Sequence, residues 1–292
     1  MALHGHSQIE RIERVPRVGT VSVLRLDLPD PIEGGNKRFK LKYNIREFLG
    51  SGSKQLITFG GAYSNHIAAV AAAARNNRIN TIGIIRGEEL NSSSNAVLRF
   101  ASDCGMRLIF VSRDEYRRRN DSDYHSELRL RFPESFIIPE GGTNAAAVRG
   151  CTEILSKQTE FAKHIFLPVG TGGTISGIIR SLHSDQKVHG ISVVGEGEVL
   201  NPVIASLSGQ QEGANWELHT QFTFGGYGQQ TPELAEFIMT IKNKSELPLD
   251  FVYSGKAFFG MMQLIEDRGY NPEECLFVHT GGYAFMNTVS EG

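Results

Sequence analysis

Gly34-Gly35-Asn36-Lys37 and, downstream, Gly60-Gly61-Ala62-Tyr63-Ser64-Asn65-His66 are the stretches that decide how this 292-residue chain is read. Glycine has no Cβ, so backbone at such positions can approach another group closely. Lys37, in a glycine-flanked loop, is therefore able to come near a flat ligand. Ser64 and Asn65 stand where an alanine-rich helix begins, and the unpaired amides of a helix start bind anions such as a carboxylate. A third cluster, Gly170-Thr171-Gly172-Gly173-Thr174, follows a short apolar run. Its consecutive N–H groups and two hydroxyls have the build of a phosphate cradle.

Outward from these clusters the pattern alternates. Strands are expected over 21–26, 55–59, 81–85, 107–111, 164–169, 191–195 and 275–279. Helices are expected over 38–49, 67–74, 93–102, 145–155, 173–182, 232–242 and 257–268. Segment 209–223 carries no clear periodicity. Alternating strands and helices imply βαβ units and parallel sheets, an α/β fold. Ligands in such sheets sit beyond the carboxyl ends of strands, where each glycine cluster falls.

Composition narrows the function. A net charge of −2 gives no global field for nucleic acid or acidic membranes. The basic run Arg113, Arg117, Arg118 and Arg119 is interleaved with Asp114, Glu115, Asp121 and Asp123, which reads as a solvated face. Cys104, Cys151 and Cys275 form no CxxC pair, so neither a disulfide framework nor a metal site is expected. The opening MALHGHSQIERIERV lacks a signal-peptide core and no apolar run reaches membrane-spanning length, so a cytoplasmic protein is expected.

Amine, carboxylate site and phosphate cradle are together the parts needed to hold pyridoxal phosphate beside an amino acid. The blocks GGNKRFKLKY (34–43), TFGGAYSNH (58–66), IPEGGTN (138–144), PVGTGGT (168–174), FGGYG (224–228), VYSGK (252–256) and HTGG (279–282) extend this. In that order they resemble the fold-type II pyridoxal-phosphate enzymes, specifically the group of 1-aminocyclopropane-1-carboxylate (ACC) deaminase and D-cysteine desulfhydrase. The resemblance implies a tryptophan synthase beta-like fold of two lobes with the cofactor between them. The larger, cofactor-binding lobe would comprise residues 1–39 and 151–292, the smaller 40–150. It also implies a homodimer acting on a small amino acid.

Residue roles follow from the resemblance. Lys37 is the Schiff-base lysine, with Lys40 and Lys42 as nearby competitors. Gly170, Thr171, Gly172, Gly173 and Thr174 hold the phosphate. Asn65 matches the amide on the cofactor's 3′-oxygen, and Ser64 stands at the substrate carboxylate or reacting carbon. His66 is a further substrate contact, and Tyr227 and Tyr253 match two tyrosines around the substrate. ACC deaminases carry glutamate where this chain has Ser254, and Thr280 offers the ring nitrogen a neutral partner. That favours D-cysteine desulfhydrase-like α,β-elimination giving a 2-oxo acid and ammonia. Three alternatives stay open: ACC deaminase activity, a dinucleotide enzyme using the Gly170–Thr174 turn with Glu196, and a cofactor-binding protein without turnover.

Overall fold

The computed structural model describes residues 8–28, 30, 32, 34–195, 197–213, 215–226 and 228–282. Among them the chain divides into two units, one of residues up to 36 and from 151 onward, the other of residues 37–150. The first unit opens with β1 (Gln8–Val15) and β2 (Gly19–Arg25), an antiparallel pair. The second unit carries α1 (Gly35–Gly50), β3 (Gln55–Gly61), α2 (Asn65–Asn77), β4 (Asn80–Arg86), α3 (Ala96–Asp103), β5 (Arg107–Val111), α4 (Arg113–Arg117), α5 (Ser122–Arg131), β6 (Ser135–Ile138) and α6 (Ala145–Cys151). The chain then completes the first unit with β7 (His164–Val169), α7 (Gly173–Arg180), β8 (Lys187–Ser192), α8 (Gly197–Ser208), β9 (Trp216–His219), α9 (Pro232–Lys244), α10 (Ser254–Arg268) and β10 (Cys275–His279).

The second unit is built on a parallel sheet of order β5-β4-β3-β6. Its central strands are near-continuous apolar runs because both faces are covered. Leu56 packs with Ile67, Val70 and Leu98 on one side, while Ile57 and Phe59 pack with Tyr124 and Leu128 on the other. The alanines of α2 let that helix lie close to the sheet, and Ala68, Ala69, Ala71 and Ala72 are all buried.

The first unit holds the sheet β1-β2-β10-β7-β8-β9, parallel from β2 onward. Ala257, Phe258, Met261 and Leu264 of α10 join Phe166 and Phe277 of β7 and β10 in its core. Phe258 and Phe277 meet edge to face, with ring centroids 5.0 Å apart.

Several elements differ from the sequence expectation. Lys37 lies in the first turn of α1 and not in a loop, since that helix already begins at Gly35. α3 starts at Ala96 because Asn95 is its cap, its side chain accepting from Leu98 N–H at 2.9 Å. β8 spans Lys187–Ser192 instead of 191–195, its first half disguised by Lys187, His189 and Gly190. α8 was hidden by its internal Pro202, and β9 lies in the unassigned stretch around the fully buried Trp216.

Arg113, Arg117, Arg118 and Arg119 pair with Glu89, Asp114, Glu127 and Glu140, which spends the basic run on local ion pairs. Cys151 and Cys275 are buried, and Cys104 is half-buried. No described helix is long and apolar enough to cross a membrane.

His164, His189 and His219 form a row across β7, β8 and β9, each neighbouring pair of ring nitrogens 3.2 Å apart. Burial pushes His189 down to about 3 and His219 down to about 4, so both are neutral near pH 7. The unfolded chain takes up protons below about 6.5 that the folded chain refuses until pH 3–4. This contribution to stability is therefore intact above about pH 6.5 and lost as pH falls. The unfolding free energy from urea denaturation is expected to drop between pH 7 and pH 5, by roughly 2–4 kcal/mol for the two histidines together. A His189→Phe variant should show a shallower slope; an unchanged slope would refute the assignment.

Candidate active site

In the second unit, Ser64 caps α2 with its hydroxyl accepting from Ile67 N–H at 3.3 Å. Gly60 permits this, because a Cβ there would stand 2.8 Å from Ser64 Oγ and 2.4 Å from Ile67 Cγ1. Asn65 is the first residue of α2, half-buried. β3 leads into this cap and neighbouring β6 leads into Pro139-Glu140-Gly141-Gly142, so both approaches leave carboxyl ends of parallel strands.

His66 is buried, with Nε2 2.8 Å from Thr58 Oγ1. Thr58 donates its one proton to Ile138 O at 3.0 Å, so its oxygen must accept from His66 Nε2–H. His66 Nδ1 is then a bare acceptor, and it has no hydrogen-bond partner among the described residues. Burial, then the charges of Lys37 and Lys40, hold this imidazole neutral, far below its ordinary pKa. Neutral His66 has no proton left to give a carboxylate. Lys40 is buried and donates to Gly141 O at 2.7 Å and Thr143 Oγ1 at 2.9 Å. Lys42 lies over the Tyr43 ring. Lys37 is half-buried.

In the first unit, the Gly170–Thr174 turn and the Thr280–Gly282 turn follow β7 and β10, which are adjacent and parallel. Asn36 connects them. Its N–H donates to Thr280 O at 3.0 Å and its side-chain amide to Thr174 Oγ1 at 2.9 Å. Gly35 leaves no room for a side chain, a Cβ there falling 2.2 Å from Thr280 O. The Tyr253 ring borders the same turn, its Cε1 lying 3.6 Å from where a Cβ on Gly170 would be.

Ser254 is fully buried. Its hydroxyl donates to Asp250 Oδ2 at 2.5 Å and accepts from Asp250 N–H at 2.8 Å. The Asp250 carboxylate also takes the amides of Val252, Tyr253 and Ser254, fixing the start of α10. Lys256 buries its ammonium against Thr223 O and Gly226 O, at 2.7 and 2.6 Å, and burial lowers its pKa. Sequence reasoning missed Asn36, Asp250 and Lys256, which act through partners remote in sequence or through one helical turn. Tyr227 and Glu196 lie outside the described residues.

Residues 4–281 match the family model described as "Pyridoxal-phosphate dependent enzyme". The chain belongs to that family. The enzyme is 30% identical to a putative 1-aminocyclopropane-1-carboxylate deaminase of Pyrococcus horikoshii, over 90% of this chain and 84% of that protein. It is 25% identical to a D-cysteine desulfhydrase of Klebsiella pneumoniae, over 93% and 90% respectively. The crystal structure of an ACC deaminase homologue superposes with a TM-score of 0.82 at 27% identity, covering 98% of this chain and 92% of that one.

The enzyme's own residues fit a phosphate-bearing cofactor. Gly172 opens α7 in the left-handed region (φ +79°), with no side chain capping the helix. A Cβ at Gly172 would stand 3.1 Å from Ile204 Cγ1. Such a turn leaves first-turn amides for an anion that a capping side chain would otherwise satisfy. Gly172→Leu is expected to weaken cofactor binding to the apoenzyme by at least about tenfold through strain and lost approach. Arg180→Ala, at the exposed end of α7, should leave it unchanged. Equal losses in a cofactor titration would place the phosphate elsewhere.

Proposed function

We propose that the enzyme is a D-cysteine desulfhydrase-like lyase that eliminates the β-substituent of a small amino acid, giving a 2-oxo acid and ammonia. Pyridoxal phosphate, when bound, supplies the carbonyl that takes the substrate amine and the conjugated ring that holds the electron pair freed at Cα. Lys37 is assigned the covalent attachment and then the proton transfer at Cα. The amides of Gly170–Thr174 take the phosphate, with Asn36 holding Thr174 and Thr280 in place. Asn65 is assigned the cofactor's 3′-oxygen, and Ser64 with the start of α2 the substrate carboxylate. His66 is given a supporting part, since its only proton is committed to Thr58. Tyr253 and Tyr227 are assigned to the substrate.

One observation carries the choice of reaction. Where ACC deaminases have glutamate the enzyme has Ser254, whose proton already goes to Asp250. Asp250 in turn is occupied by the amides at the start of α10. Thr280 then remains as a neutral donor for the ring nitrogen, and a hydroxyl does not balance a full positive charge in a partly dry site. Elimination tolerates a weaker electron sink because the leaving group carries the electrons away as thiolate or chloride. Opening a cyclopropane has no such outlet.

D-cysteine or β-chloro-alanine is therefore expected to give pyruvate at least about tenfold faster than ACC gives 2-oxobutanoate, about 1.4 kcal/mol in barrier. ACC deaminase activity is the second reading, favoured by the higher identity to the Pyrococcus protein. Efficient turnover of ACC without elimination from β-substituted amino acids would select it. A homodimer in the cytoplasm completes the proposal, with sedimentation of the purified enzyme as the check on assembly.

A further inference from the structure

On the first unit's sheet lies a group of side chains that the proposed reaction does not use. His189 of β8 pairs in register with Glu217 of β9, and His219 follows two residues along the same strand. Since side chains alternate along a strand, all three project from one face of the sheet. His189 Nδ1, His219 Nε2 and Glu217 Oε2 form a triangle with sides of 3.2, 3.7 and 3.9 Å. The point equidistant from the three atoms is about 2.1 Å from each, which is the bond length of zinc to imidazole nitrogen or carboxylate oxygen.

We propose that His189, Glu217 and His219 bind one divalent transition-metal ion of the zinc class, with water in the fourth position. Two imidazoles and one carboxylate suit zinc and its neighbours and not calcium or magnesium, which prefer all-oxygen shells. The row of histidines supplies the outer support. His164 Nδ1 lies 3.2 Å from His189 Nε2, so a proton held on Nε2 between them leaves a bare His189 Nδ1 for the site. His164 is itself held by Tyr270, whose ring stacks on it at 3.7 Å between centroids. His219 binds after its proton moves to Nδ1, so no proton need leave the protein.

The surrounding charges set the affinity. Lys187 donates to Glu217 Oε1 at 2.5 Å, and Arg268 to Oε2, the proposed ligand atom, at 2.8 Å. Two cations beside a divalent ion repel it, so binding belongs to the micromolar range and not to that of a closed structural zinc site. Arg268 is the competitor that can leave, its side chain being 41% exposed. The ion would tie the edge strand β9 to β8. No sequence signature announces the site, because its ligands come from two strands.

The test uses the holoenzyme freed of metal by chelation and dialysed against zinc chloride at about 100 µM. One zinc per chain should be retained, with the Tm raised by about 5 °C once zinc reaches a hundredfold excess over Kd. Cobalt(II) in its place should give the visible absorption of a four-coordinate nitrogen–oxygen site. His219→Phe and Glu217→Gln should each lose the retained metal and the Tm response while keeping bound pyridoxal phosphate. Arg268→Ala should tighten zinc binding by about tenfold. Should His219→Phe fail to fold, Glu217→Gln and Arg268→Ala decide, being changes at partly exposed side chains. No retained zinc in the unmodified enzyme, or retention unchanged in Glu217→Gln, overturns the proposal. Neither result bears on which amino acid the enzyme consumes.

Discussion

Lys37→Ala is expected to abolish covalent attachment of pyridoxal phosphate and to cut turnover by at least about 10³-fold. The visible band of the cofactor should move to that of the free aldehyde. Borohydride reduction of the unmodified enzyme, followed by peptide mapping, should place the pyridoxyl group on Lys37. Labelling of Lys40 or Lys42 would sink the assignment. Lys40 is a stringent control, because its ammonium already serves Gly141 O and Thr143 Oγ1 in a buried position. Lys40→Ala should therefore lower stability, not remove the covalent link. Loss of the Lys37 charge should also raise the pKa of His66, which that charge helps depress. An imidazole NMR titration reads this without any activity measurement.

Asp27→Ala is expected to cost about 3–5 kcal/mol of stability, because it strands a buried cation. Asp27 is buried and takes hydrogen bonds from Arg25 Nε, at 2.9 and 3.2 Å, and from Arg25 Nη2, at 2.7 Å, with His279 Nδ1 at 3.1 Å. Arg25 retains Glu10 at 2.5 Å, but that partner lies nearer the surface. Burial pushes the Asp27 carboxyl up, yet the hydrogen bonds from His279 and Arg25 outweigh it and leave it well below the usual carboxylate range. The folded pKa is thus lower than the unfolded one. Its contribution is present above about pH 4 and lost as pH falls further. Urea denaturation at pH 7 should show the deficit, and the variant's stability should depend less on pH below 4. A loss under about 1 kcal/mol would mean that Arg25 and His279 find other partners. The consequence reaches the site, since His279 precedes Thr280 and a Cβ on Gly281 would meet Gly35 Cα at 3.0 Å.

The glycine blocks, the parallel sheets and the family were legible in the sequence because each rests on local rules. A glycine turn after an apolar strand and a serine before an alanine-rich helix need only neighbours to be understood. Strand 275–279 and strand 164–169 were read to the residue for the same reason. What the sequence could not state is which polar groups share a buried space. β8 was misplaced because His189 and Lys187 look like surface residues until two further strands supply His164, His219 and Glu217 as partners. Ser254 read as a position without an acid, whereas one turn of chain folds the Asp250 carboxylate onto its hydroxyl. His66 read as a substrate contact, and only Thr58 bonded to Ile138 O decides which nitrogen keeps the proton. Backbone turns and apolar runs are determined by a few consecutive residues. Protonation, tautomer and ion pairing depend on distances across strands, and tertiary structure alone sets those.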